Sequence, residues 1–130
     1  MPSDPPATSL LLDTHVVIWW DAGQRLSAAA RAAIARADEV YVSAASAWEV
    51  AIKASLGKIA SRRTISQAAT EAGFVELPVA FEHAERLQTL PPIHRDPFDR
   101  ILIAQAMTHG LTIVTRDPLI ARYGIKVVPA

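Results

Sequence analysis

The apolar positions divide the chain into short runs separated by longer periodic stretches. Ser9–Leu12 (SLLL), Val40–Ser43 (VYVS), Phe74–Leu77 (FVEL) and Leu111–Thr115 (LTIVT) predict four buried strands, and Lys126–Val128 (KVV) a fifth. Ser27–Ala37, Ala44–Leu56, Thr64–Ala72, Ala80–Leu87 and Phe98–His109 are Ala-rich or helically periodic and predict the intervening helices. Ser27 and Ser43 stand where helix N-caps belong, and Gly57, Gly73 and Gly110 where helices stop. This strand–helix alternation predicts an α/β fold: a central parallel sheet of four or five strands with right-handed crossovers and helices on both faces. Ligands of such sheets bind beyond the carboxyl ends of the strands. The polar residues that follow the strands are therefore the first candidates for chemistry.

Asp13 directly follows Leu10–Leu12, and Asp117 lies two residues beyond Thr115, so both are expected on one rim. Each has a structural alternative. Asp13 can cap a short helix, and Asp117 before Pro118 makes an N-cap and N1 pair. Glu49 shares a helix face with Ala45, Ile52 and Leu56, an apolar face where an unpaired carboxylate is costly. Its alternative is a capping box with Ser46, which requires a later helix start than Ser43 provides. Asp99 lies over Leu102, Ile103 and Ala106, or else serves the helix dipole in a first turn. Asp96, just before Pro97, reads as that helix's N-cap and is the second choice to Asp99.

Carboxylates that converge repel unless protonated, hydrogen-bonded or bridged by a cation. An oxygen-only set without thiolate or a histidine cluster selects a hard ion, Mg²⁺ or Mn²⁺. The chemistry such ions perform with carboxylates and water is hydrolysis of phosphate esters. The chain contains no P-loop, Gly-rich dinucleotide turn or Ser-His-Asp order to compete with that reading.

Composition narrows the class. The 130 residues are 51% hydrophobic, enough for one domain over residues 9–130 without disulfides or a structural metal. Residues 1–8 (MPSDPPAT) carry three prolines and read as a flexible tail; they lack the charge and apolar core of a signal peptide. The run SLLLDTHVVIWW is interrupted by Asp13 and His15 and is too short to span a bilayer, so a soluble cytoplasmic protein without a membrane partner is expected. Zero cysteine excludes disulfide scaffolds, thiolate metal sites and thiol catalysis. The 13 basic and 13 acidic residues cancel, unlike those of a generic nucleic-acid coat. The 13 acids less the four candidates leave nine against 13 bases, which describes an acidic pocket in a mildly basic surface.

Several neighbours have two readings each. Thr14, Ser43 and Thr115 can bond a carboxylate or a bound water, or simply cap and turn the chain. Arg100 and Arg116 adjoin proposed ligands and can grip a substrate phosphate or balance the acids in salt bridges. Lys53, Lys58, Arg62 and Arg63 form either a path for a phosphate backbone or a solvated helix face. His15 and His94 are not expected to bind metal, and His94 is assigned to the loop before the Asp99 helix. Trp19 and Trp20 cannot both face the core, so one is a candidate partner contact; Trp48 is expected in the core.

The segments LLDTHVVIWW, SAASAWEVAIKASLGKI and HRDPFDRILIAQAMTHGLTIVTRD, followed by YGI, resemble the PIN-domain family, and more narrowly its VapC-type toxin ribonucleases. The resemblance runs from Leu10 to Val128. It implies a PIN-like α/β/α sandwich and an acidic quartet of Asp13, Glu49, Asp99 and Asp117. Asp13 and Asp99 would be the principal metal ligands, with Asp96 not excluded as a helper. It further implies Mg²⁺- or Mn²⁺-dependent endonucleolytic cleavage of RNA, restraint by a cognate antitoxin, and a homodimer. Two other classes also fit acids gathered at a sheet edge: a catalytically silent metal- or partner-binding module, and a receiver-like phosphoacceptor domain. The receiver needs an acceptor Asp after the third strand, where this chain has Pro78.

Overall fold

A computed structural model of the chain describes residues 8–59 and 63–130. The tail expected over residues 1–8 therefore falls, all but Thr8, outside the described residues, as does Arg62. Five strands, β1 (Ser9–Leu12), β2 (Glu39–Ser43), β3 (Val75–Leu77), β4 (Thr112–Thr115) and β5 (Val127–Pro129), form one parallel sheet in the order β3-β2-β1-β4-β5. Seven α-helices lie between them: α1 (Thr14–Ala22), α2 (Ala28–Arg36), α3 (Ala44–Ser55), α4 (Ile65–Ala72), α5 (Phe81–Arg86), α6 (Pro97–His109) and α7 (Pro118–Ala121). The order departs from the 2-1-3-4-5 sheet of receiver-like folds and puts the reversal of winding between β1 and β4.

The alternation of β1 explains the two layers. Leu10 and Leu12 point to one face and join Val16, Val17, Ile34, Val42 and Val50 in a core beneath α1, α2 and α4. Leu11 points to the other face and packs with Leu102, Ile103, Ile113 and Ile120 beneath α6 and α7. All three leucines are fully buried, as required of a central parallel strand covered on both sides.

Helix boundaries follow local chemistry. Ser27 accepts from Ala30 N–H and Ser43 from Ala45 N–H, so α2 and α3 begin where the sequence predicts. Thr64 and Gln67 close a reciprocal capping box on α4. Gly73 and Gly110 end α4 and α6 at φ 76° and 66°, a left-handed turn that β-carbons disfavour.

Trp48 differs from expectation: it is 63% exposed, with its ring edge-on to Phe98 at 5.0 Å. Ile52 and Leu56 are exposed too, although they were expected to share a buried face with Glu49. The cause is packing. Helix α3 rests against α1, α4 and α6, and only Ala45, Ser46, Glu49 and Val50, in its first two turns, are enclosed. No helix among the described residues is long and apolar enough to cross a membrane.

Candidate active site

The register of the sheet builds the site's floor. Leu12 pairs with Val42 on one side and Val114 on the other, so Asp13, Ser43 and Thr115 form the next row at the carboxyl edge. Asp13 N–H still donates to Val114 O at 3.1 Å, which extends the β1–β4 ladder by one step. The Thr115 hydroxyl then donates to Asp13 Oδ2 at 2.7 Å and accepts from Asp117 N–H at 3.0 Å. One threonine thereby fixes two of the predicted acids. Asp13 occupies the N-cap position of α1 but makes no side-chain cap bond, leaving its carboxylate to the site. Ser43, by contrast, spends its side chain as the α3 cap.

Glu49 enters from α3. It is 5% exposed, and its burial is offset by two partners: Thr14 Oγ1 at 2.8 Å from Oε1 and Lys53 Nζ at 2.6 Å from Oε2. Thr14 has a single hydroxyl proton to give the carboxylate, so the Ser46 hydroxyl, 2.9 Å away, can donate back to Thr14. Ser46 is thus part of a buried network rather than a capping box. The bond to Glu49 holds the Lys53 ammonium above its ordinary pKa.

Asp99 and Asp117 enter from the other side. Asp99 sits in the first turn of α6 above buried Leu102, Ile103 and Ala106. Asp96 is the N-cap of that helix, accepting from Phe98 N–H at 2.9 Å. Asp117 caps α7 with Oδ1, 2.9 Å from Leu119 N, and turns Oδ2 into the site. Capping and site membership therefore coexist in Asp117.

His94, expected to be a loop residue, stands among the acids. Its Nε2 is 2.5 Å from Asp117 Oδ2 and 3.1 Å from Asp99 Oδ2, so the three side chains converge on one point. Its Nδ1 accepts from Asp96 N–H at 3.1 Å, so the proton belongs on Nε2, shared between the two carboxylates. In that tautomer His94 is a hydrogen-bond donor that orients ligands, not a ligand itself. Arg100 fixes the loop that carries it. The guanidinium donates to the main-chain oxygens of Pro91, His94, Leu87 and Leu90 and to the Tyr123 hydroxyl, and it forms no ion pair with a carboxylate among the described residues.

Burial and mutual repulsion act on these acids together. Burial is the chief reason the Asp99 carboxyl is pushed up to about 7; repulsion from Asp13, Asp96 and Glu49 adds to it and His94 opposes it. Burial likewise raises Asp13, chiefly against the Thr115 hydrogen bond and the nearby His15. Acids from α3, α6 and the end of β1 thus feel one another's charge. Two members of the basic stretch on and after α3 are engaged with acids: Lys53 is bound to Glu49, and Arg63 pairs with Asp21 at 3.3 Å and with Glu71.

Residues 10–126 match the PIN domain family. The chain belongs to it. Ribonuclease VapC22 of Mycobacterium tuberculosis is 36% identical to this PIN domain over 122 residues, covering 85% of this chain and 88% of the relative. Among solved structures, VapBC2 from Rickettsia felis bound to a promoter DNA fragment superposes with a TM-score of 0.66 at 11% identity, over 93% of this chain and 98% of that one. A toxin–antitoxin complex from Klebsiella pneumoniae gives 0.60 at 22% identity, over 92% and 96%. At such identities the structures speak for the fold alone: a PIN-type α/β/α sandwich with a five-stranded parallel sheet.

Proposed function

We propose that this PIN domain is a divalent-metal-dependent endoribonuclease, the toxin of a toxin–antitoxin pair, acting in the cytoplasm as a homodimer restrained by a cognate antitoxin. The observation that carries the reading is the gathering of Asp13, Glu49, Asp99 and Asp117 about the β1/β4 switch point, where Asp99 is pushed up to about 7 chiefly by burial and further by Asp13 and Glu49, and where His94 joins Asp99 to Asp117. The kinship to Ribonuclease VapC22 supports RNA as substrate, and the neighbours solved with antitoxins support the partner.

The donor set fits a hard cation: crowded carboxylate oxygens, with Asp99 pushed up to about 7 and Asp13 raised, and with Lys53 engaged on Glu49. Asp13 and Asp99 would hold Mg²⁺ or Mn²⁺, with Glu49 and Asp117 completing the shell. Such an ion would supply charge neutralisation at the phosphate. The chain's own groups do the positioning. Thr115 keeps Asp13 aimed outward, Thr14 and Lys53 fix Glu49, and His94 aligns Asp99 with Asp117. Water attacks phosphorus and gives its proton to a carboxylate of the cluster, while the phosphorus–oxygen bond to the leaving sugar breaks and the sugar oxygen takes up a proton from solvent. Asp96 serves Asp99 indirectly, through its cap and its contact to His94.

The test is cleavage of end-labelled RNA by the purified protein with Mg²⁺, with Mn²⁺ and with EDTA. Chelator-sensitive cleavage that Asp13→Asn abolishes is expected. Metal binding without cleavage of any RNA would favour the silent module instead.

A further inference from the structure

Arg116 lies between Thr115 and Asp117, yet it does not join them. Along an extended segment successive side chains alternate, so Arg116 turns away from the acids and toward α1. There its Cζ sits 4.1 Å from the centroid of the Trp19 ring, and its Nε donates to the main-chain oxygen of Ala130 at 3.2 Å. The guanidinium is pinned at one nitrogen and stacked on its face. Its two terminal NH₂ groups meet no acceptor among the described residues, and no side-chain carboxylate among them lies within ion-pair distance. The salt-bridge reading of Arg116 therefore finds no side-chain partner among the described residues.

The stacking surface is itself anchored. Trp19 is half-buried against the core beneath α1 and α2. One turn earlier on α1, the exposed His15 ring lies 5.7 Å from Trp19, and His15 is near enough to Asp13 to lower its pKa. The Trp19–Arg116 pair thus borders the acidic centre on its α1 side. An aromatic ring under a rigid, always-charged fork with two unspent donor groups suits an anion with paired oxygens, and a phosphodiester is one.

We propose that Arg116 grips a backbone phosphate of the RNA strand next to the scissile one, and that Trp19 is the positioning residue that holds the guanidinium in place for it. This rests on the ribonuclease reading above and adds to it a strand path over α1. Arg100 takes no part in that path, since its donors are spent on the Leu87–His94 carbonyls.

The experiment measures binding of a labelled single-stranded RNA across a salt series in the cleavage-dead Asp13→Asn background, and steady-state cleavage in otherwise unaltered protein. Arg116→Ala is expected to lower the slope of log affinity against log salt by about 0.7, the value for one phosphate on a single strand. It should raise KM roughly tenfold or more, as loss of one charge-assisted contact does, and leave kcat within about twofold. Trp19→Leu should raise KM in the same way, Trp19→Phe less, and Trp19→Leu/Arg116→Ala no more than Arg116→Ala alone, because the two residues act as a unit. If Trp19→Leu does not fold, Arg116→Lys carries the test: it keeps the charge but loses the stacked fork, and should retain the salt slope while raising KM. Fully additive losses at Trp19 and Arg116 would overturn the positioning role. An unchanged slope and KM in Arg116→Ala, with wild-type protein cleaving RNA, would overturn the subsite alone and point the pair toward a protein partner. Wild-type protein that neither binds nor cleaves RNA would overturn the ribonuclease reading and the subsite with it.

Discussion

Asp99 should make the metal-free protein less stable than its own isostere. The carboxyl is 16% exposed and titrates near 7, against 3.8 in an unfolded chain. Between those two values the folded chain holds a proton that the unfolded chain has lost, so stability falls as pH rises through this window and is level above it. At 1.36 kcal/mol per unit, the ionised Asp99 costs a ceiling of about 4 kcal/mol above pH 7 and between about 1 and 2 kcal/mol at pH 5. Rotation of the charged group toward water would lower the ceiling. Asp99→Asn removes the charge while keeping shape and a hydrogen-bond acceptor for His94. In EDTA, urea denaturation should therefore show the variant more stable than wild type by up to about 4 kcal/mol at pH 8, by less at pH 5, and by nearly nothing near pH 3. For a chain this size that ceiling is a midpoint shift of about 2 M urea. Saturation with Mn²⁺ should then narrow the gap at pH 8, because an ion at 100 times its Kd adds about 2.7 kcal/mol to the form that binds it. A variant no more stable than wild type at pH 8, or a difference indifferent to pH, would refute the electrostatic account; a gap that Mn²⁺ leaves untouched would refute Asp99 as a ligand.

Other consequences are simpler to state. Asp13→Asn should abolish chelator-sensitive RNA cleavage while circular dichroism stays close to wild type and the melting temperature in EDTA does not fall, since Asp13 makes no cap bond and burial already disfavours its charge. Thr115→Val removes the donor to Asp13 and should weaken Mn²⁺ binding about 10–100-fold by calorimetry, the usual loss when a ligand's outer partner is deleted. His83, 2% exposed on α5 with Nε2 2.7 Å from His109 Nε2, has its pKa lowered chiefly by burial. The unfolded chain thus takes up the proton first, stability should drop as pH falls below about 6.5, and His83→Asn should flatten that part of the denaturation profile.

The acidic quartet was legible because each member stands where a periodic rule makes it conspicuous. Asp13 and Asp117 follow apolar strand runs, and strand register alone brings Asp13 level with Thr115. Glu49 and Asp99 interrupt helix faces, and a carboxylate there demands a reason. Trp48, Ile52 and Leu56 misled for the same cause in reverse. Spacing shows which residues share a face, but not how far along the helix that face stays covered. Helix α3 leaves its neighbours after two turns, so the rule that identified Glu49 fails one turn later.

His94 was missed because loop geometry is set at long range. Its position depends on Arg100 gathering the carbonyls of Leu87, Leu90, Pro91 and His94, and on Tyr123, 29 residues away, accepting His94 N–H at 2.7 Å. Periodicity carries no trace of such contacts. One local signal was present: in His94-Arg95-Asp96-Pro97-Phe98-Asp99 the imidazole stands two residues before the helix cap, and an Nδ1 that accepts from the cap's own N–H must turn Nε2 toward the first helical turn. A histidine so placed before an acidic first turn supplies a proton to the cluster rather than a ligand to a metal. That distinction explains how a site with excess negative charge can fold before any ion arrives: the Nε2–H bridges Asp99 and Asp117, Lys53 holds Glu49 and Thr115 holds Asp13, so that the carboxylates sit in place while two of them remain unusually basic. The protein keeps its ligands poised at the cost of the stability that Asp99→Asn should restore.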